Sequence, residues 1–281
     1  MSKLILKKFN IIDPSENLDV ISDLLIEDGV ISEISQTINS QNIKTIQGNS
    51  KILTPGFIDL HVHYRDPGET YKEDIKTGSL ASAKGGFTTV VMMANTNPTI
   101  DNLESVISQR KNIDNYSIIR TLQMSSVTSD RKGKELVDID LLSKNGVVSF
   151  SDDGDFIRDE SILLRALKTA NKNKRTVFEH CEDDDLSKDG CINSGAVAFR
   201  LGLKPRHREA EINIVKRDVG IAKNNNLWIY IQHVSCKESV SIIRQAKKEG
   251  VKVNAEVTPH HLFLNENWTF GKKGIIPEYI D

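Results

Sequence analysis

From Pro55 onward the chain alternates apolar, strand-like runs with helix-spaced segments, and this alternation limits the possible folds more than any other feature. Phe57 to Val62 is an apolar run, and Glu73 to Lys84 has helical spacing. Thr88 to Met93 is β-branched and apolar, and Leu103 to Lys111 is helical. Ser117 to Leu122 and Gly146 to Phe150 read as strands, with helical material at Lys134 to Lys144 between them. Helices over Ser161 to Lys172, Glu209 to Lys223 and Lys237 to Glu249 lead into strands at Thr176 to Glu179, Leu227 to Gln232 and Val251 to Val257. Repeated βα units imply parallel strands with helices outside. Seven such strands are counted, one short of a closed (β/α)8 barrel. A doubly wound open sheet is the alternative, although no glycine fingerprint follows the first strand. The expected architecture is therefore α/β, an incomplete TIM-type barrel over residues 55–281.

Residues 1–54 differ in character. Asp23 to Glu27 and Val30 to Ser35 flank Asp28-Gly29, a two-residue hairpin signal because both turn positions favour positive φ. Lys51 to Leu53 adds another strand before Pro55-Gly56 breaks the chain. The segment is too small for its own core and reads as part of a small β-sandwich, with partner strands expected from the far C-terminus. With 37 Lys plus Arg against 39 Asp plus Glu among 281 residues, the net charge is -2. That balance gives no electrostatic reason to expect nucleic acid or an anionic membrane as partner. No apolar run approaches the length of a membrane span, and the N-terminus has no signal-peptide pattern. Cys181, Cys191 and Cys236 show no CxxC spacing and are expected as free thiols, which points to a cytoplasmic protein.

The chemistry-bearing residues collect at one end of the strands. His61 and His63 close the first barrel strand, and residues two apart on a strand point the same way. His180 follows the strand ending at Glu179, His233 follows the one ending at Gln232, and Asp152-Asp153 follow the one ending at Phe150. Barrel active sites lie at the C-terminal ends of strands, so these groups are expected to converge on metal. Unrelated core histidines would scatter between both ends. His260 and His261 suit either the substrate mouth or a structural role.

The run Pro55-Gly56-Phe57-Ile58-Asp59-Leu60-His61-Val62-His63-Tyr64-Arg65-Asp66-Pro67-Gly68 resembles the signature of the dihydroorotases, within the cyclic amidohydrolase superfamily. Ser149 to Gly154, His180-Cys181-Glu182, His233-Val234-Ser235 and Thr258-Pro259-His260-His261-Leu262 match the same family in order, up to about Leu264. The resemblance implies a zinc ion on His61 and His63, a second on His180 and His233, and Asp153 with a hydroxide bridging them. Many relatives bridge with a carboxylated lysine instead, and sequence alone does not choose between Asp153 and its neighbour Asp152. Arg65 and Asn95 are the implied holders of the substrate carboxylate, although Arg65 also suits an ion pair with Asp66 and Asn95 a turn. A guanidinium fork fits a carboxylate bidentately.

The implied reaction is reversible hydrolysis of the ring amide of L-dihydroorotate to N-carbamoyl-L-aspartate, in pyrimidine biosynthesis. Alternatives are a hydantoinase or allantoinase, or a non-catalytic partner of aspartate transcarbamoylase; a homodimer is equally compatible. The resemblance also implies a proton-carrying Asp at the end of an eighth strand, in a TDHAPH-like stretch. No such stretch occurs after Leu262, and neither Glu278 nor Asp281 has the right context. The catalytic acid–base residue is thus unassigned, and the 281-residue chain alone is expected to be unstable or inactive.

Overall fold

The computed structural model describes residues 2–39 and 41–270. Their contacts fall into two units that divide between Ile58 and Asp59. In the first, β1 (Lys3–Asp13) pairs antiparallel with β2 (Leu18–Glu27), which turns through Asp28-Gly29 into β3 (Val30–Ser35). Both turn residues take positive φ, 50° and 82°, as the hairpin requires. Two shorter strands, β4 (Lys44–Gln47) and β5 (Ile52–Leu53), lie parallel to β1. The five described strands pair with one another. Ile5, Ile11, Leu24 and Ile38 are buried, while Ile21 on β2 and Val30 and Ile31 on β3 stay exposed. The residues named for the C-terminus, Glu278 and Asp281, lie outside the described residues.

The chain then builds βα units. β6 (Phe57–Val62), α1 (Ile75–Lys84), β7 (Phe87–Met92), α2 (Leu103–Tyr116) and β8 (Arg120–Gln123) form a three-stranded sheet in the order β6-β7-β8. Next come α3 (Ile139–Lys144), β9 (Phe150–Ser151), α4 (Glu160–Lys172) and β10 (Val177–Glu179). An excursion follows that the alternating pattern does not foretell: α5 (Asp184–Ser187), β11 (Ile192–Asn193), α6 (Ala196–Leu201) and β12 (Pro205–Arg206), with β11 and β12 paired. The alternation resumes with α7 (Glu209–Asn225), β13 (Ile229–Ile231), α8 (Lys237–Lys248), β14 (Val253–Ala255) and the short α9 (Pro259–Phe263). Strands β14-β13-β10-β9 are parallel neighbours, and an isolated parallel bridge links Phe150 of β9 to Ser125, two residues past β8. This is the incomplete (β/α)8 barrel, seven strands in described order.

Helix starts are set by side-chain caps. Asp74, Asn102, Asp138 and Asp159 each accept a backbone N–H in the first turn of α1, α2, α3 and α4. The core fills the space between strands and helices. Phe150, Val177, Ile229, Ile231 and Val253 point from the strands, and Leu163, Leu167 and Val215 meet them from α4 and α7. One approach is especially close: a Cβ on Gly78 of α1 would stand 2.3 Å from the ring of Tyr64, itself buried. Among the described residues, no helix is long and apolar enough to cross a membrane.

Candidate metal centre

Each of the expected ligands stands just inside or just past the C-terminal end of a barrel strand. His61 and Val62 close β6, and His63 follows; Asp153 comes two residues after β9, His180 one after β10 and His233 two after β13. The parallel sheet brings these ends together. Asp153 is the common element. Its Oδ2 lies 3.5 Å from His61 Nε2 and 3.4 Å from His63 Nε2. Its Oδ1 lies 3.4 Å from His180 Nδ1 and 3.4 Å from His233 Nε2. The arrangement yields two three-residue donor groups, His61–His63–Asp153 and Asp153–His180–His233, each with its ligand atoms within 4.8 Å of one another.

Asp152, the neighbouring carboxylate, is turned elsewhere. It is buried, accepts from the backbone N–H groups of Val127 (2.7 Å) and Thr128 (3.1 Å), and takes the Thr128 hydroxyl as well. It braces the loop after β8 and belongs to neither donor group. Backbone alternation explains the split: consecutive side chains leaving a strand face opposite ways.

Three of the four rings, those of His61, His63 and His180, have partners at their remaining nitrogens. His63 Nδ1 lies 3.0 Å from Asn95 Oδ1, while Asn95 Nδ2 donates to the backbone oxygen and the Oδ2 of Asp153 at 3.1 and 3.0 Å. With its amide oriented in this way, Asn95 accepts from His63, which leaves the His63 Nε2 lone pair facing the site. His180 Nε2 lies 3.4 Å from Glu182, which in turn pairs with Arg206 at 3.3 Å. His61 Nδ1 contacts Glu256. Arg131 donates to the Asp153 carbonyl at 2.8 Å from a loop in which Asp130 and Arg131 both take positive φ. His233 also has positive φ, 31°, an uncommon setting for a residue that is not glycine. Such backbones persist where the surroundings over-determine them.

The electrostatics fit a cationic occupant. Burial alone would raise the Asp153 carboxyl, but hydrogen bonds from His180, His233 and His61 hold it far below the usual carboxylate range. Burial would lower His61, yet Asp153 and Glu256 carry it up to about 9; His180 is likewise raised to about 9, against burial, by Asp153 and Glu182. Burial wins at His63, which falls to about 4. The buried carboxylate and the acids beside the rings thus favour positive charge at the centre. Paired imidazole nitrogens approach to 3.1 Å (His61 with His63) and 2.9 Å (His180 with His233), spacings suited to a shared cation. A nitrogen and oxygen donor set of this kind suits first-row divalent ions.

Around this centre Arg65 reaches Asn95 Oδ1 through one long contact of 3.5 Å. His260 and His261 stand exposed on α9, outside both donor groups. Cys181 and Cys236 are buried and Cys191 is exposed, all three free thiols. Glu256, Glu182 and Arg131 were not singled out from sequence. An acidic residue at the C-terminal end of a barrel strand is a usable signal for Glu256, but nothing local marks Arg131.

The family described as dihydro-orotase-like matches residues 50–239. The dihydroorotase of Aquifex aeolicus (strain VF5) is 44% identical over 266 residues, which is 95% of this chain and 63% of that protein. The dihydroorotase of Sulfurihydrogenibium sp. (strain YO3AOP1) is 42% identical over 264 residues, 94% of this chain and 62% of that one. The chain therefore spans less than two thirds of the length of these curated relatives. Among solved structures, a D-hydantoinase superposes with TM-score 0.77 at 25% identity, over 96% of this chain and 60% of its own. The L-hydantoinase of Arthrobacter aurescens gives TM-score 0.77 at 19% identity, over 92% of this chain and 59% of its own.

Proposed function

Since the chain belongs to the dihydroorotase-like family of metal-dependent cyclic amidohydrolases, we propose that its site serves the reversible hydrolysis of L-dihydroorotate to N-carbamoyl-L-aspartate. In that reaction water adds to the ring amide carbonyl, the C–N bond breaks, the nitrogen takes a proton and a new carboxylate is left. The observation that carries the proposal is the sharing of one buried carboxylate, Asp153, between two imidazole pairs, one pair per oxygen. We assign His61 and His63 to one zinc ion, His180 and His233 to a second, and Asp153 to both. When bound, such ions would polarise an amide carbonyl and acidify water near neutral pH.

The other residues position and select. Arg65 lies next to His63 and Asn95 in the site, its guanidinium engaged among the described residues by a single long hydrogen bond, which leaves its fork suited to the carboxylate that distinguishes dihydroorotate from hydantoin. Asn95 would join it by exchanging one of its bonds to Asp153 for the substrate. The carboxylate at the shared position also separates this site from relatives bridged by a modified lysine. The proton-transferring group is assigned to no residue of this chain. Free thiols throughout suit a reducing compartment, and we take the cytoplasm as the place of action.

The test is ligand binding to the zinc-loaded chain, read by calorimetry, with dihydroorotate, hydantoin and allantoin compared and turnover followed in parallel. Dihydroorotate is expected to bind at least tenfold more tightly than the other two, and Arg65→Leu to erase that preference. Equal or tighter binding of hydantoin would overturn the substrate assignment.

A further inference from the structure

Building on the metal-site reading above, we infer that Glu256 is a positioning residue: it fixes the tautomer of His61 and thereby prepares the His61–His63 half of the centre to receive its ion. Two side chains compete for the same ring nitrogen. The Glu256 carboxylate contacts His61 Nδ1, and Gln232 Nε2 lies 3.1 Å from that nitrogen. A carboxylate can only accept, so it selects the tautomer with hydrogen on Nδ1 and a lone pair on Nε2. An amide nitrogen can only donate, so it selects the opposite tautomer, which puts hydrogen on Nε2 where the ion must bind.

The orientation of Gln232 is itself constrained. Ser151 Oγ accepts from the Asp153 backbone N–H at 3.1 Å, so its own hydrogen is free to go to Gln232 Oε1 at 3.0 Å. That leaves the amide nitrogen as the end that meets His61. Gln232 is almost wholly buried, and so cannot turn away to water. The ionised acceptor wins this competition because charge-assisted hydrogen bonds are roughly twice as strong as neutral ones. Glu256 is also held rigidly. Its backbone N–H donates to Ile231 at 3.0 Å and its carbonyl accepts from Val234 at 2.9 Å, so both sides are pinned to β13 and the segment after it. The equivalent place at His63 is taken by Asn95, and at His180 by Glu182, so Glu256 gives His61 the kind of ring partner that two of the other three histidines have. Partners of this kind typically change metal affinity ten- to hundredfold when removed.

The experiment is a zinc titration of the 281-residue chain against a competing chromophoric chelator, with Glu256→Leu, Glu256→Gln and the double variant Glu256→Leu/Gln232→Met. Proton NMR of the zinc-loaded proteins reports the His61 Nδ1–H as a downfield, slowly exchanging signal. Glu256→Leu is expected to weaken one of two zinc ions by roughly ten- to hundredfold and to abolish that signal, with the other ion held within about twofold. Glu256→Gln keeps an acceptor and falls between. The double variant, which lacks the opposing donor, regains part of the affinity; an electrostatic effect of Glu256 alone would give no such recovery. If Glu256→Leu does not fold, Glu256→Gln carries the same comparison. Wild-type affinity for both ions in the variants, with the downfield signal kept, would overturn the role of Glu256. A wild-type chain that binds no zinc would instead overturn the underlying metal reading, and this role with it.

Discussion

At the scale of single residues, the centre hinges on the division of labour between Asp152 and Asp153. Adjacent in sequence and both buried, they face opposite directions, one toward a loop and one toward four imidazoles. On the two-zinc assignment proposed above, because Asp153 offers one oxygen to each imidazole pair, Asp153→Asn is expected to reduce bound zinc to fewer than one ion per chain. His180→Ala removes a ligand from one group only and should leave about one ion. Elemental analysis after dialysis against buffered zinc distinguishes the two outcomes. The convergence of His61, His63, His180, His233 and an aspartate was legible in the sequence, because each follows an apolar run that had to be a parallel strand. The choice between the two aspartates was not, since it depends on which face of the strand end looks inward. Glu256 escaped notice because its role depends on a ring 195 positions earlier in the chain.

At the scale of elements, two contacts show how helices are fixed to strands. Gly78 allows α1 to sit against Tyr64 with a spacing that no side chain could share. Gly78→Ala gains about 1 kcal/mol of helix propensity, but inserting a methyl group against a buried ring costs about 1–3 kcal/mol. The net expectation is destabilisation by about 1 kcal/mol in urea unfolding, opposite in sign to an exposed Gly→Ala change. The second contact is electrostatic. Asp218 of α7 is fully buried beside Arg217 (2.7 Å), which also donates to the Ile157 carbonyl at 2.8 Å, and burial pushes the Asp218 carboxyl up to about 6 despite that arginine. Glu179 of β10, next to it, is pushed up for the same reason. A raised carboxyl binds its proton more tightly when folded than when unfolded. Its favourable contribution is therefore present at low pH and lost as pH rises from about 4 through about 6. Asp218→Asn should flatten the stability profile across that window, as measured by urea midpoints from pH 4 to 7. The order of strands and helices was readable from periodicity, but their ends were not. The strand expected over Gly146 to Phe150 shrinks to Phe150–Ser151 after Gly146 takes φ 92°, and α2 runs on to Tyr116. The excursion from α5 to β12 was hidden because its elements are too short to show a period.

At the scale of the whole molecule, the centre links strands from both described sheets of the barrel, β6 from one and β9, β10 and β13 from the other. On the proposed metal assignment, ion binding is then folding energy for the second unit. Zinc at 100 times its dissociation constant should add about 2.7 kcal/mol, and a chelator should withdraw it. With roughly 2–4 °C per kcal/mol for a domain of this size, the melting temperature is expected to fall by roughly 5–10 °C on chelation. Calorimetry in matched buffers checks this, and an unchanged melting temperature would mean that the four histidines hold no ion. The link between His61 and Glu256 also has a consequence in time. On the proposed reading, a ribosome releases the first histidines 195 residues before the acidic residue that steadies them. The His61–His63 half of the centre then gains its last ring partner only once β14 has emerged and docked.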